Sequence, residues 1–175
     1  MSKVRLPKQV DPCKCAIQRS DYQGVMAAES MARLNETVVE ILDEINVGLR
    51  FEIDAQGLTF FHGDISTKVS LECQRCNEPF DYEIEQSFSF TPIKEGQSVE
   101  DIPEAYDPVE LNEHGEINLL ELFEDEIILS IPIVPMHAPE DCKVTEGEMS
   151  YGEVEPEQER PNPFAVLKEL KRNQE

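Results

Sequence analysis

Between Val47 and Phe90 the hydropathy of the chain repeats every two residues. Val47, Leu49, Phe51 and Ile53 alternate with Gly48, Arg50, Glu52 and Asp54. Farther on, Ile65, Thr67, Val69, Leu71 and Cys73 share one face, with Ser66, Lys68, Ser70 and Glu72 on the other. Tyr82, Ile84, Phe88 and Phe90 then alternate with Glu83, Glu85, Ser87 and Ser89. Successive side chains of a strand point to opposite faces, so this pattern predicts a half-buried antiparallel meander with one apolar and one wet face. The stretch "DAQG" offers a turn in which Gly57 is free to take positive φ, and "HGD" (His62 to Asp64) offers a second turn or bulge.

The period changes at "INLLELFEDEIILSIP". Leu119, Leu120, Phe123, Ile127 and Ile131 fall on one helical face, with Asn118 as N-cap, Glu121 three residues on, and Pro132 as the stop. Ile117 and Leu122 sit where a hydrophobic staple needs them, and "AAESMARL" (Ala27 to Leu34) predicts a shorter, two-turn helix. The fold class expected is therefore α+β: an antiparallel meander, open or curled toward a barrel, packed by one main helix. Residues 1–143 make the single domain, 144–160 an acidic linker, and 161–175 a short amphipathic helix. In that last segment Asn162 caps, Pro163 opens the helix, and Phe164, Leu167 and Leu170 are its apolar anchors. A helix so short needs something to dock on, its own domain or a partner.

Charge is the next constraint. The chain of 175 residues carries 15 Lys/Arg against 37 Asp/Glu, for a net charge of −22. The imbalance is uneven, net −6 over residues 1–90 and −16 over residues 91–175. From Glu95 to Glu126 there are twelve carboxylates and no Lys or Arg. Residues 94–116 read as a long acidic loop. Affinity for nucleic acid comes mainly from cations that displace counterions from phosphates, so this half repels bare RNA and suits a basic protein. Glu100, Asp101, Glu104, Asp107, Glu110, Glu113 and Glu116 are the residues expected to meet such a partner, with Phe164, Leu167 and Leu170 adding an apolar hold. The alternative is direct RNA contact through Lys3, Arg5, Lys8, Lys14, Arg19, Arg33, Arg50, Lys68 and Arg75, dispersed along the less acidic portion. Acidity that merely keeps the protein soluble is the plain alternative to both.

Five cysteines remain to be explained: Cys13, Cys15, Cys73, Cys76 and Cys142. No apolar run resembles a signal peptide or spans a membrane, so a cytoplasmic protein with reduced thiols is expected. Cys73 and Cys76 have the C-x-x-C spacing, placed in a connector between two strands. Together with His137 and Cys142, on the segment after the helix, they supply the three sulfurs and one imidazole of a structural zinc shell. Two other readings stand beside zinc. Cys73 continues the apolar strand face and suits an ordinary core thiol. A redox pair is the third, although redox thiols usually open a helix whose N-terminus lowers their pKa. No P-loop, dinucleotide fingerprint, H-E-x-x-H or G-x-S-x-G is present, and a non-enzyme is expected; a thiol-dependent enzyme is the alternative.

"SDYQG" (Ser20 to Gly24), "LECQRC" (Leu71 to Cys76), "PEAYDPVELNEHGEINLLELFEDEIILSIPIVPMH" (Pro103 to His137) and "NPFAVLKELKR" (Asn162 to Arg172) occur here in order. This set resembles the YceD family, named for large ribosomal RNA subunit accumulation. The resemblance implies a cytoplasmic bacterial factor supporting synthesis, processing or stability of 23S ribosomal RNA, and it carries over no catalytic residue. Some branches of the family have further cysteines just after the position of Cys142, where "CKVTEGEMSYG" has none. His137 would complete the shell in their place.

Overall fold

The computed structural model describes residues 5–94, 96–99, 102–144 and 152. Of the residues expected to meet a partner, Glu100, Asp101, Phe164, Leu167 and Leu170 lie outside these, as does the whole segment 161–175. One compact unit ends at Cys142.

Its body is a six-stranded sheet. Strand β1 (Gln9–Val10) leads into helix α1 (Pro12–Gln18), which is followed by β2 (Asp21–Met26). A 3-10 turn at Ala28–Ser30 and helix α2 (Ala32–Thr37) come next, then β3 (Glu40–Ile41) and β4 (Ile45–Ile53). The long strands β5 (Thr59–Glu72) and β6 (Pro79–Ile93) precede β7 (Asp107–Glu110), β8 (Ile117–Asn118) and helix α3 (Leu119–Ser130). The sheet order is β2-β4-β5-β6-β7, with β3 pairing β5 beside this path, while β1 and β8 form a separate two-stranded ribbon. The sheet is open, with β2 and β7 as its outer strands, so closure toward a barrel does not occur.

The alternation maps onto these strands. Val47, Leu49, Phe51, Phe61, Ile65, Val69, Ile84, Phe88 and Phe90 are all buried. Rings run through the core in a connected series: Tyr22 to Phe51 (5.9 Å), Phe51 to Phe61 (5.2 Å), Phe61 to Phe90 (5.5 Å) and Phe88 to Phe90 (5.6 Å). Phe88 then meets Phe123 of α3 at 5.3 Å, which seats the helix on the sheet. Helix α3 forms where its caps place it. The Asn118 side chain accepts from the Leu120 and Glu121 N–H groups, and Leu119, Phe123 and Ile127 are buried.

Four expectations need correction. The proposed turn at "HGD" is not one: β5 runs unbroken through it. There the Gly63 backbone lies so close to β4 that a Cβ would stand 1.9 Å from the Gly48 carbonyl oxygen. Glycine lets the strands approach without breaking them. The meander is not purely antiparallel, because β7 pairs in parallel with β6, Phe90 opposite Asp107 and Ile93 opposite Glu110. The "acidic loop" therefore contains a strand. Finally, the helix expected over Ala27 to Leu34 is displaced and broken into the 3-10 turn and α2.

Candidate metal centre

The connector between β5 and β6 is a tight knuckle. The Cys73 N–H donates to the Glu78 carbonyl (2.9 Å) and the Asn77 N–H to the Cys73 carbonyl (2.8 Å). Asn77 closes the turn with φ 58°, a left-handed conformation that asparagine tolerates. Both thiols are thereby turned toward the segment that leaves α3. Pro132 has ended that helix, and the chain returns as an extended stretch fastened to the knuckle. The Gln74 N–H donates to the Pro135 carbonyl (2.9 Å), and the His137 N–H donates to Cys73 Sγ (3.4 Å).

The result is that Cys73, Cys76, His137 and Cys142 come together, their ligand atoms all within 4.8 Å of one another. Cys76 Sγ lies 3.3 Å from His137 Nδ1, and the imidazole rests against the Phe80 ring at 5.0 Å. Cys73 and Cys142 are buried, while Cys76 and His137 are half-buried. Two oppositely acting environments separate the thiols. Burial would raise Cys73, but N–H groups of His137, Arg75 and Cys76 donate to its sulfur and bring it to about 5. For Cys76, burial and the neighbouring Cys73 and Cys142 thiols push the pKa upward, against a single N–H from Glu78. Crowded thiols that cannot all ionise alone form a donor set for a cation. Zinc bonds of about 2.3 Å to sulfur place tetrahedral ligands roughly 3.5–3.8 Å apart, so these side chains need only a small contraction to enclose a metal. The residues fit the group.

Cys13 and Cys15 stand apart from this cluster, on α1. Cys13 is exposed, and buried Cys15 lies 3.7 Å from the Tyr22 hydroxyl. Helix α1 itself escaped the sequence reading, although "DPCKC" carries its signal: Asp11 accepts from the Lys14 N–H as N-cap, and Pro12 opens the helix.

The carboxylates expected to face a partner divide. Glu104, Asp107, Glu110 and Glu113 are exposed, and Glu116 is half-buried. Tyr106 anchors this segment by packing on Phe60 at 5.0 Å. Asn112 shapes its end by accepting from the His114 and Glu116 N–H groups, both 2.9 Å. Because β7 pairs near the end of β6 and the knuckle opens its start, the two features are separated by roughly 35 Å of strand. Three of the cations proposed for RNA are paired with carboxylates, Lys14 with Asp11, Lys68 with Asp81, and Arg33 with Glu124 and Asp125, whereas the Arg75 side chain meets the uncharged Met136 Sδ at 3.7 Å. No helix among the described residues is long and apolar enough to cross a membrane.

Comparison with known proteins gives the family. A family model described as "Large ribosomal RNA subunit accumulation protein YceD" matches residues 61–171. A protein of that name from Haemophilus influenzae (strain ATCC 51907 / DSM 11121 / KW20 / Rd) is 47% identical over 173 residues, covering 98% of this chain and 99% of that protein. No solved structure matches. The knuckle, the acidic strand and α3 all lie inside the matched region, and the chain belongs to the YceD family of large ribosomal RNA subunit accumulation proteins.

Proposed function

We propose that this protein acts in the cytoplasm as a non-enzymatic factor that supports accumulation of 23S ribosomal RNA, working through a basic protein partner. The near full-length likeness to a large ribosomal RNA subunit accumulation protein is the observation that carries the reading. The route through a protein follows from charge. A net −22 surface with exposed Glu104, Asp107, Glu110 and Glu113 repels a polyanion and speeds encounter with a polycation. Deleting the gene should lower the ratio of 23S to 16S RNA, and the wild-type chain supplied in trans should restore it. An unchanged ratio would reject the reading.

The Cys73–Cys76–His137–Cys142 cluster would hold zinc as a structural clamp. A bound cation would compensate the clustered thiolates and fix the post-helix segment to the β5–β6 knuckle. Metal analysis of purified protein should return about one equivalent of zinc. Chelation should lower the melting temperature, and Cys142→Ser should abolish the metal. Purified, folded protein that neither contains nor takes up zinc would rule the clamp out.

A further inference from the structure

The segment fastened to the knuckle displays an apolar surface that no other described residue covers. Ile133 is 95% exposed, Val39 60% and Val134 49%. Ile133 and Val39 line one groove of about 450 Å³, together with Ile131, Pro132, Pro135 and Gln74. Its walls are fastened. Pro132 and Pro135 restrict the backbone around Ile133, the Gln74 side chain donates to the Ile133 carbonyl (3.5 Å), and the Val39 N–H donates to the Ser70 carbonyl (2.9 Å). An isoleucine whose backbone is fastened while its side chain faces solvent adds nothing to the packing of its own fold, and together with exposed Val39 and Val134 it makes an apolar patch of the kind that marks interaction sites.

The charge around the groove selects the occupant. Glu72 lines it, and exposed Glu36 and Glu40 are chain neighbours of its lining residues Thr37 and Val39, against one cation so placed, half-buried Arg75 beside Gln74; among the described residues no Lys or Arg lines it. A second copy would bring another −22 to the contact, and RNA would bring phosphates to a rim of carboxylates. We infer that this groove docks a Lys/Arg-rich polypeptide segment that inserts an aliphatic side chain between Val39 and Ile133, its cations facing Glu72 and its acidic neighbours. The inference rests on the basic-partner reading and deepens it by moving the specific hold to the knuckle end of β6, with the acidic edge at β7 acting in encounter. Aliphatic burial supplies residence time, and charge supplies approach.

The test uses the full-length chain, immobilised, and total protein extracted from salt-washed large ribosomal subunits, with each retained protein identified and its dissociation measured separately. Val39→Ser with Ile133→Ser removes the apolar contact at exposed positions, and circular dichroism checks that the fold and melting temperature are kept. A second variant, Glu104→Gln, Asp107→Gln, Glu110→Gln and Glu113→Gln, neutralises the distant edge. The expected result is capture of a basic protein whose affinity falls about tenfold or more in the groove variant, chiefly through faster dissociation, while the edge variant mainly slows association. Equal dissociation from the groove variant and wild type would overturn the groove but leave the basic-partner reading standing. A dimer that the groove variant dissolves, or 23S RNA bound by the groove alone, would also overturn it. If neither variant nor wild type retains any basic protein, the partner reading itself fails, and the groove assignment with it.

Discussion

At the scale of single residues, the fold depends on side chains that polarity alone would misplace. Gly63 is one, since its missing Cβ is what lets β4 and β5 approach and the Phe88 ring lie over the strand. Gly63→Ala must displace the Gly48 backbone rather than a flexible side chain, so a loss of about 2–4 kcal/mol is expected in urea unfolding. Glu126 behaves in the opposite sense. Partial burial, then the charges of Asp107 and Asp125, raise its pKa above the ordinary 4.5. A carboxyl with a raised folded pKa binds more protons folded than unfolded, so its ionised form destabilises the protein at neutral pH, and the penalty fades as pH falls through the folded pKa. Glu126→Gln should therefore melt higher than wild type at pH 7, with the gain shrinking toward pH 4.5. A gain that is constant with pH would show that charge is not its cause.

At the scale of elements, the legible parts were those fixed by local chemistry. Asn118 and Pro132 bounded α3 in the sequence because capping and proline act within a few residues, and the three long strands were visible because one face of each is buried. The C-x-x-C spacing likewise revealed the knuckle, and the helix stop suggested what returns to it. Parallel pairing of β7 was not legible, because "DPVE" has one half-buried residue and its register is set by β6. Nor was the role of Glu124, which reads as one more solvated acid on α3. It is buried instead, accepting from Arg33 Nε and from the Leu34 N–H, both at 3.0 Å, and so pins α2 to α3. Glu124→Ala leaves the buried Leu34 N–H and Arg33 Nε without their acceptor, while Arg33 keeps Asp125 and the Glu121 carbonyl, and should cost about 2–4 kcal/mol. Asp125→Ala, which removes only the outer, half-exposed partner of Arg33, should cost under about 1 kcal/mol in the same measurement. Equal losses would mean that Glu124 acts as a surface charge.

At the scale of the whole molecule, acidity and apolar exposure divide one task. The carboxylates at residues 104–113 lie on and beside β7, and the groove at Val39 and Ile133 lies beside the knuckle, at the opposite end of β6. Charges act over a Debye length, about 10 Å at 0.1 M salt, and orient an approaching cation before contact. An aliphatic contact acts only once water has been expelled. The two contributions are therefore separable by salt. If a basic partner is gathered by the field of this −22 chain and held by the groove, raising salt from about 0.05 M to 0.5 M should slow association about tenfold or more and change dissociation far less. Surface plasmon resonance on one purified partner reads both rates. Dissociation that accelerates as steeply as association slows would place the hold in ion pairs, and the exposed Ile133 would then have no part in it.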